Sequence, residues 1–143
     1  MPRASKRPVN KNIQEELQDN FSFLISSLTS SSDIQHFFET FLTEEEKTML
    51  TKRLMLHLMI ENGYDPMEMT SVLGISLETV RKHKMVSKLG DKTYKDIIAK
   101  ITNRNKTKAF WKKVEKALRP LELALDAKTN MKARAKLLSG DLR

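Results

Sequence analysis

The chain contains no cysteine, which excludes disulfide staples, thiol nucleophiles and Cys-ligated zinc or iron–sulfur centres. Glycine and proline are sparse, four of each in 143 residues, and this favours long uninterrupted helices over a turn-rich sheet. No apolar run approaches the roughly 20 residues that a membrane-spanning helix needs. The start, MPRASKRPVNK, is basic but leads into no apolar stretch, so it does not resemble a secretory signal and a cytoplasmic location is expected. Catalytic signatures are also missing. His36, His57 and His83 fall on separate expected helices, no His pair has HExxH spacing, and no Gly-rich phosphate loop occurs. The sequence is therefore expected to encode no enzyme, with no catalytic residues, no cofactor and no metal ligands.

Positive charge is abundant and unevenly placed. Lys and Arg number 26 against 18 Asp and Glu, a net charge of +8. Residues 1–12 carry four basic and no acidic residues, +4; residues 13–80 carry three against twelve, −9; residues 81–143 carry nineteen against six, +13. Such asymmetry points to a polyanionic partner, with nucleic acid ahead of an anionic membrane. Hydrophobic residues make up 39% of the chain, enough for a small core, and the eight methionines fill core or interface space without invoking a cofactor.

Residues 1–11 read as a basic disordered arm. From Asn12 the apolar residues Ile13, Leu17, Phe21, Leu24 and Leu28 recur at helical spacing, with Phe23 and Ile25 off the stripe as a second contact. After the serine cluster 30–32, Asp33 is expected to cap a short helix bearing Ile34, Phe37, Phe38 and Phe41. Thr43 with Glu46 forms a capping box for a helix reaching Asn62 and stopping at Gly63. Its segment Leu54–Ile60 has almost no polar side, and a helix apolar all round needs cover all round. A partner subunit is expected to complete that cover.

Next, Asp65-Pro66-Met67-Glu68 opens a short helix ending at Gly74, and Ser76 caps another. Two short helices joined by a tight Gly-containing turn form a helix-turn-helix, with Met69, Leu73, Ile75 and Val80 as its core. A recognition helix sends side chains to phosphates and base edges in the major groove. Ser76, Glu78, Thr79, Arg81, Lys82, Lys84 and Lys88 are the candidate DNA-binding residues, with Arg81, Lys82 and Lys84 supplying the electrostatics. The plainer alternative makes Gly74 an ordinary helix stop and the lysines a solvated face. The sign of the charge reverses at Arg81, inside the expected recognition helix, which favours the DNA reading. A further helix over 91–101 is expected to turn Tyr94, Ile97, Ile98 and Ile101 inward. One more amphipathic stretch carries Phe110, Trp111, Val114, Leu118, Leu121 and Leu125, bent or broken near Pro120.

From Phe41 to Ile101, and more loosely from Ile13, the chain resembles the Trp-repressor-like superfamily, closest to its YerC/YecD-type Trp-repressor-related branch. FLTEEEKTMLTKRL and ENGYDPMEMTSVLGISLETVRKH carry the resemblance. It implies an all-α helical bundle with a helix-turn-helix, an intertwined homodimer and operator binding. It also places the corepressor pocket on Thr43, Arg53 and Thr79, but with Lys82 for a second arginine, His83 for a glycine and Val86 for a serine. An imidazole at 83 obstructs an indole's place, so tryptophan is not expected as corepressor. Arg53 is then open to a salt bridge with Glu45, Glu46 or a partner carboxylate. GISLETVRKH is also similar to the LuxR-type helix-turn-helix, which gives the turn and recognition helix the same reading.

The expected organisation is a basic arm over 1–11, a Trp-repressor-like domain over 12–102 and a basic helical extension over 103–143. In the extension Lys106, Lys108, Lys112, Lys113, Lys116 and Arg119 surround Phe110 and Trp111. Trp111 is expected to pack on the core rather than stack on a base, and the lysines either face water or contact phosphate. Pro120 interrupts the stripe that a membrane-surface helix would use. The expected function is sequence-specific double-stranded DNA binding as a homodimeric transcriptional regulator on a bacterial nucleoid. The alternatives are a low-specificity architectural DNA-binding protein, or a protein or RNA interaction module with a basic tail.

Overall fold

A computed structural model describes residues 9–126 and 138–139, apart from the side chains of 105–108, 123, 125 and 126. Most of the basic arm, the side chains of Lys106, Lys108 and Leu125, and nearly all of the final stretch lie outside the described residues. The protein is all-helical, with seven helices and no strand among the described residues. They are α1 (Lys11–Ser27), α2 (Ser31–Phe41), α3 (Glu44–Glu61), α4 (Pro66–Leu73), α5 (Leu77–Leu89), α6 (Lys92–Thr102) and α7 (Asn105–Asp126). No helix is long and apolar enough to cross a membrane among these residues. The chain divides into two compact units between Thr51 and Lys52, within α3.

In the first unit, helix starts follow side-chain chemistry. Asn10 caps α1, its carboxamide accepting from the Asn12 N–H at 3.0 Å. The cap of α2 is Ser30, which accepts from the Asp33 N–H at 3.0 Å. Asp33 therefore lies in the first turn instead of capping, where its charge still complements the helix dipole. Thr43 and Glu46 form the expected reciprocal pair: Glu46 N–H donates to Thr43 Oγ1 at 3.2 Å, and Thr43 N–H to Glu46 Oε2 at 2.9 Å. Phe37 stacks on Phe41 at 5.0 Å and meets Phe38 edge-on at 5.5 Å. None of the α1 side chains is buried; Ile13, Leu17 and Phe21 are about half exposed and Phe23 is 74% exposed. Ile25, expected with Phe23 to make a second contact, is 42% exposed.

The second unit holds the core. Leu56, Leu58 and Met59 of α3 cluster with Met69 and Leu73 of α4, Val80 of α5, Ile98 of α6, and Trp111, Val114 and Leu118 of α7. The consecutive residues Leu56, His57, Leu58 and Met59 are all buried. The expected need for a partner to cover Leu54–Ile60 is thus corrected. Four helices that follow α3 in the same chain surround residues 56–59, and only Leu54 at the edge stays 43% exposed. α3 stops as its sequence requires: Gly63 has φ +74°, Gly63 N–H donates to Ile60 O and Tyr64 N–H to Met59 O, both at 3.1 Å. That is a Schellman ending, and the positive φ is what glycine supplies there.

Two further expectations are corrected. Ile97 is 52% exposed rather than inward, because Ile98 takes the core position and an adjacent residue lies about 100° round the helix. α7 continues through Pro120 to Asp126 without a break. The exposed ring omits one backbone donor, and Leu118 and Leu121 on either side hold the helix to the core.

Candidate nucleic-acid interface

The candidate interface is built on α4, a three-residue turn and α5. Asp65 caps α4 through Met67 N–H at 2.8 Å, while Glu68 returns to Asp65 N–H at 2.6 Å, with Pro66 at the first helical position. Gly74 ends α4 in the left-handed conformation, φ +59°, its N–H donating to Thr70 O at 3.0 Å. Ser76 starts α5 by accepting from Thr79 N–H at 3.2 Å. Met69, Leu73 and Val80 are buried and Ile75 packs beside them, so the turn is clamped from within. The local signals and the packing specify the same pair of short helices joined by a tight turn.

Helical spacing then sorts the α5 side chains. Val80, His83 and Ser87 share the inward face, Val80 fully buried and the other two half-buried. Arg81, Lys84 and Lys88 follow one another along a different face; Arg81 and Lys88 are exposed and Lys84 half-buried. Lys82 and Glu78 are exposed on a third stripe. None of these four cations forms an ion pair among the described residues. The Ser76 and Thr79 hydroxyls are 2.9 Å apart and bond each other at the helix start. In the absence of nucleic acid, those two candidate contacts are thus committed to the cap. The arrangement offers a phosphate backbone a line of unneutralised charge rising from a capped helix N-terminus.

Of the residues assigned to a corepressor pocket, Thr43, Thr79 and His83 make other bonds. Thr43 caps α3 and its hydroxyl also donates to Glu46 Oε2 at 3.1 Å. Arg53 and Lys82 are exposed, and Val86 is 50% exposed. His83 turns its ring onto His57. His83 Nδ1 lies 3.0 Å from His57 Nε2, and His57 Nδ1 bonds the Tyr94 hydroxyl, which in turn donates to Ser87 Oγ at 3.3 Å. Three helices are tied by this chain: α3 through His57, α5 through His83 and Ser87, and α6 through Tyr94. Gly90 makes room for it, because a Cβ there would run into the Tyr94 ring. Sequence reading placed His57 correctly as a satisfied interior histidine but did not connect it to His83. The two are 26 residues apart, so no local spacing announces the pair. The one available signal was that His83 lies three residues beyond core Val80 and so shares its face.

Both imidazoles are held below the ordinary histidine value of 6.5. Burial is the first cause at His57, followed by the His83 and Arg53 charges; at His83 burial is followed by Arg53 and Lys82. Folded protein then binds fewer protons than unfolded chain as the pH falls through 6.5, and stability must decline in that direction. Above 6.5 both states hold neutral rings and this contribution is complete. Urea unfolding is expected to show a lower midpoint near pH 5.5 than near pH 7.5, a range in which histidine dominates titration. An equal or higher midpoint at the acid end would contradict the depressed values.

No group of three or more His, Cys, Asp or Glu suited to a metal occurs among the described residues. No family model, curated protein or solved structure matches the chain.

Proposed function

We propose that this protein binds double-stranded DNA sequence-specifically through α4 and α5, as a homodimeric, Trp-repressor-like transcriptional regulator on the nucleoid that does not respond to tryptophan. The observation that carries this reading is the Arg81–Lys84–Lys88 line, without an ion pair among the described residues, on a helix whose other side is clamped against α4 and the core. Ser76, Glu78 and Thr79, at the helix start, are the residues closest to the position from which base edges are read. His83, bonded to His57, stands against an aromatic corepressor beside α5.

Dimerisation rests on α1. A helix of 17 residues with no buried side chain lacks the packing of an apolar face from which most helices in proteins draw their stability. Its Ile13, Leu17 and Phe21 stripe is the surface that a second copy covers. Two recognition helices related by a two-fold axis read half-sites about 34–36 Å apart. The exposed cations of α7, Lys112, Lys113, Lys116 and Arg119, favour the second reading, a low-specificity architectural protein held by the phosphate backbone.

Selection of bound fragments from random duplex DNA tests the proposal. A regulator returns a pseudo-palindromic consensus whose halves are about one helical turn apart. Enrichment without a consensus supports the architectural reading and removes sequence specificity. Light scattering on the free protein is expected to give twice the 16.5 kDa chain mass.

A further inference from the structure

We propose that His57 and His83 form a proton-operated latch on α5: neutral rings tie the helix to α3 and α6, and double protonation opens the tie. The free-protein part of this proposal stands alone; its consequence for DNA rests on the function proposed above.

The geometry sets the proton count. With the Tyr94 hydroxyl donating to Ser87, His57 Nδ1–H donates to the Tyr94 oxygen. His57 Nε2 is then the acceptor, and His83 Nδ1–H donates to it across 3.0 Å. One hydrogen occupies each link, and the neutral chain is fully satisfied. His83 Nε2 is the one imidazole nitrogen of the pair with no partner among the described residues. A first proton from solvent adds there and leaves every link intact. A second can add only at His57 Nε2, the atom that accepts the His83 bond. Two N–H groups and two positive charges would then face one another at a distance that only a hydrogen bond permits.

The surroundings do nothing to absorb that charge. From α3 the group facing the rings is Arg53, from α5 it is Lys82, and from α6 it is the neutral Tyr94 phenol. No carboxylate bonds either ring among the described residues. His57 is 8% exposed, so solvent cannot screen a cation there without movement. The movable element is α5. It is joined to the core by Val80 alone among its fully buried residues, whereas α3 contributes Leu56, Leu58 and Met59. Losing the His83 bond and the adjoining Tyr94–Ser87 bond therefore loosens the recognition helix before the rest of the unit.

The test uses the full chain without DNA and then with it. Imidazole NMR shifts and amide-exchange protection factors of α5 are followed from about pH 7.5 to about pH 5. Duplex affinity is measured over the same range at constant ionic strength. His83→Gln keeps an N–H to offer His57 but cannot be charged, and His57→Gln removes the other titrating ring. In the wild type, α5 protection is expected to fall about tenfold or more as the rings titrate, one tenfold step for each pH unit of proton uptake. Duplex affinity is expected to fall with it. In either variant both profiles stay flat within about twofold. The latch is overturned if α5 protection stays constant while the wild-type rings titrate, an outcome that needs no variant to fold. It is also overturned if His83→Gln keeps the wild-type pH profile. Affinity that rises on acidification, with α5 protection constant, would instead make His83 a phosphate contact. Protection that follows the rings in a protein with no duplex affinity at any pH supports the latch and removes the DNA reading.

Discussion

Trp111→Ala is expected to lower folding stability by about 3–5 kcal/mol, the usual cost of emptying a large aromatic site. Trp111 is 8% exposed and belongs to the core cluster that joins α3, α4, α5, α6 and α7. Its ring stacks on Tyr64 at 5.2 Å with 24° between planes, and Phe110 meets its edge at 5.8 Å. Removing it takes cover from Tyr64, immediately after the Gly63 stop of α3, and unseats α7 between Trp111 and Val114. A typical domain is stable by only about 5–15 kcal/mol, so the variant is expected to lose much of its folded population near body temperature. Trp111→Phe should cost less. The indole N–H is buried without a partner among the described residues, and deleting an unsatisfied donor offsets part of the lost contact. Urea unfolding followed by far-UV circular dichroism measures both. A loss below about 1 kcal/mol for the alanine variant would show that α7 is an appendage. The expected loss makes it part of the scaffold that holds α4 and α5. A chain ending at residue 102 should then fail to hold α4 and α5 folded, since Trp111, Val114 and Leu118 would all be missing from the core.

Arg81→Ala combined with Lys84→Ala is expected to weaken duplex binding steeply and to change its salt dependence. Each phosphate contact contributes about 0.9 to the slope of log affinity against log salt. Loss of two per chain should flatten the slope by roughly 1.8, or about 3.6 for a dimer engaging both half-sites. The fold should survive, because Arg81 is exposed, Lys84 half-buried, and alanine is the stronger helix former. Unchanged circular dichroism with a shallower slope supports phosphate contact by α5. Unchanged duplex affinity would remove the helix-turn-helix reading and favour an RNA or protein partner reached through the basic C-terminal region. A weaker affinity with the original slope would mean that α5 acts by orientation rather than by charge.

Helix boundaries were largely legible because the devices that set them are short-range. Asp65-Pro66-Met67-Glu68 contains a complete helix start within four residues, and Gly63 and Gly74 each mark a stop whose positive φ other residues resist. Ser30 and Asp33 show how such reading slips. Both can cap, they are three residues apart, and the structure uses the serine as cap with the aspartate as its N–H donor. Pro120 marks a different failure. Its local penalty was read correctly, but Leu118 and Leu121 anchor the helix on both sides of it, and packing overrides one missing bond. The uniform apolarity of residues 54–60 was likewise a true signal of burial. It could not say whose side chains do the covering, since α4 to α7 reach α3 from as far away as Leu118.

The helical pattern, the caps of α4 and α5 and the tight turn between them were legible in the amino-acid sequence, because each depends on residues within about one or two helical turns of one another, and the reversal of charge at Arg81 is a plain count along the chain. Long-range packing alone settles that α7 completes the core, that α3 is enclosed by its own chain at residues 56–59, and that His83 meets His57 and Tyr94 behind α5. Those contacts join residues tens of positions apart. Their formation depends on how whole helices pack, and no local pattern of side chains records that.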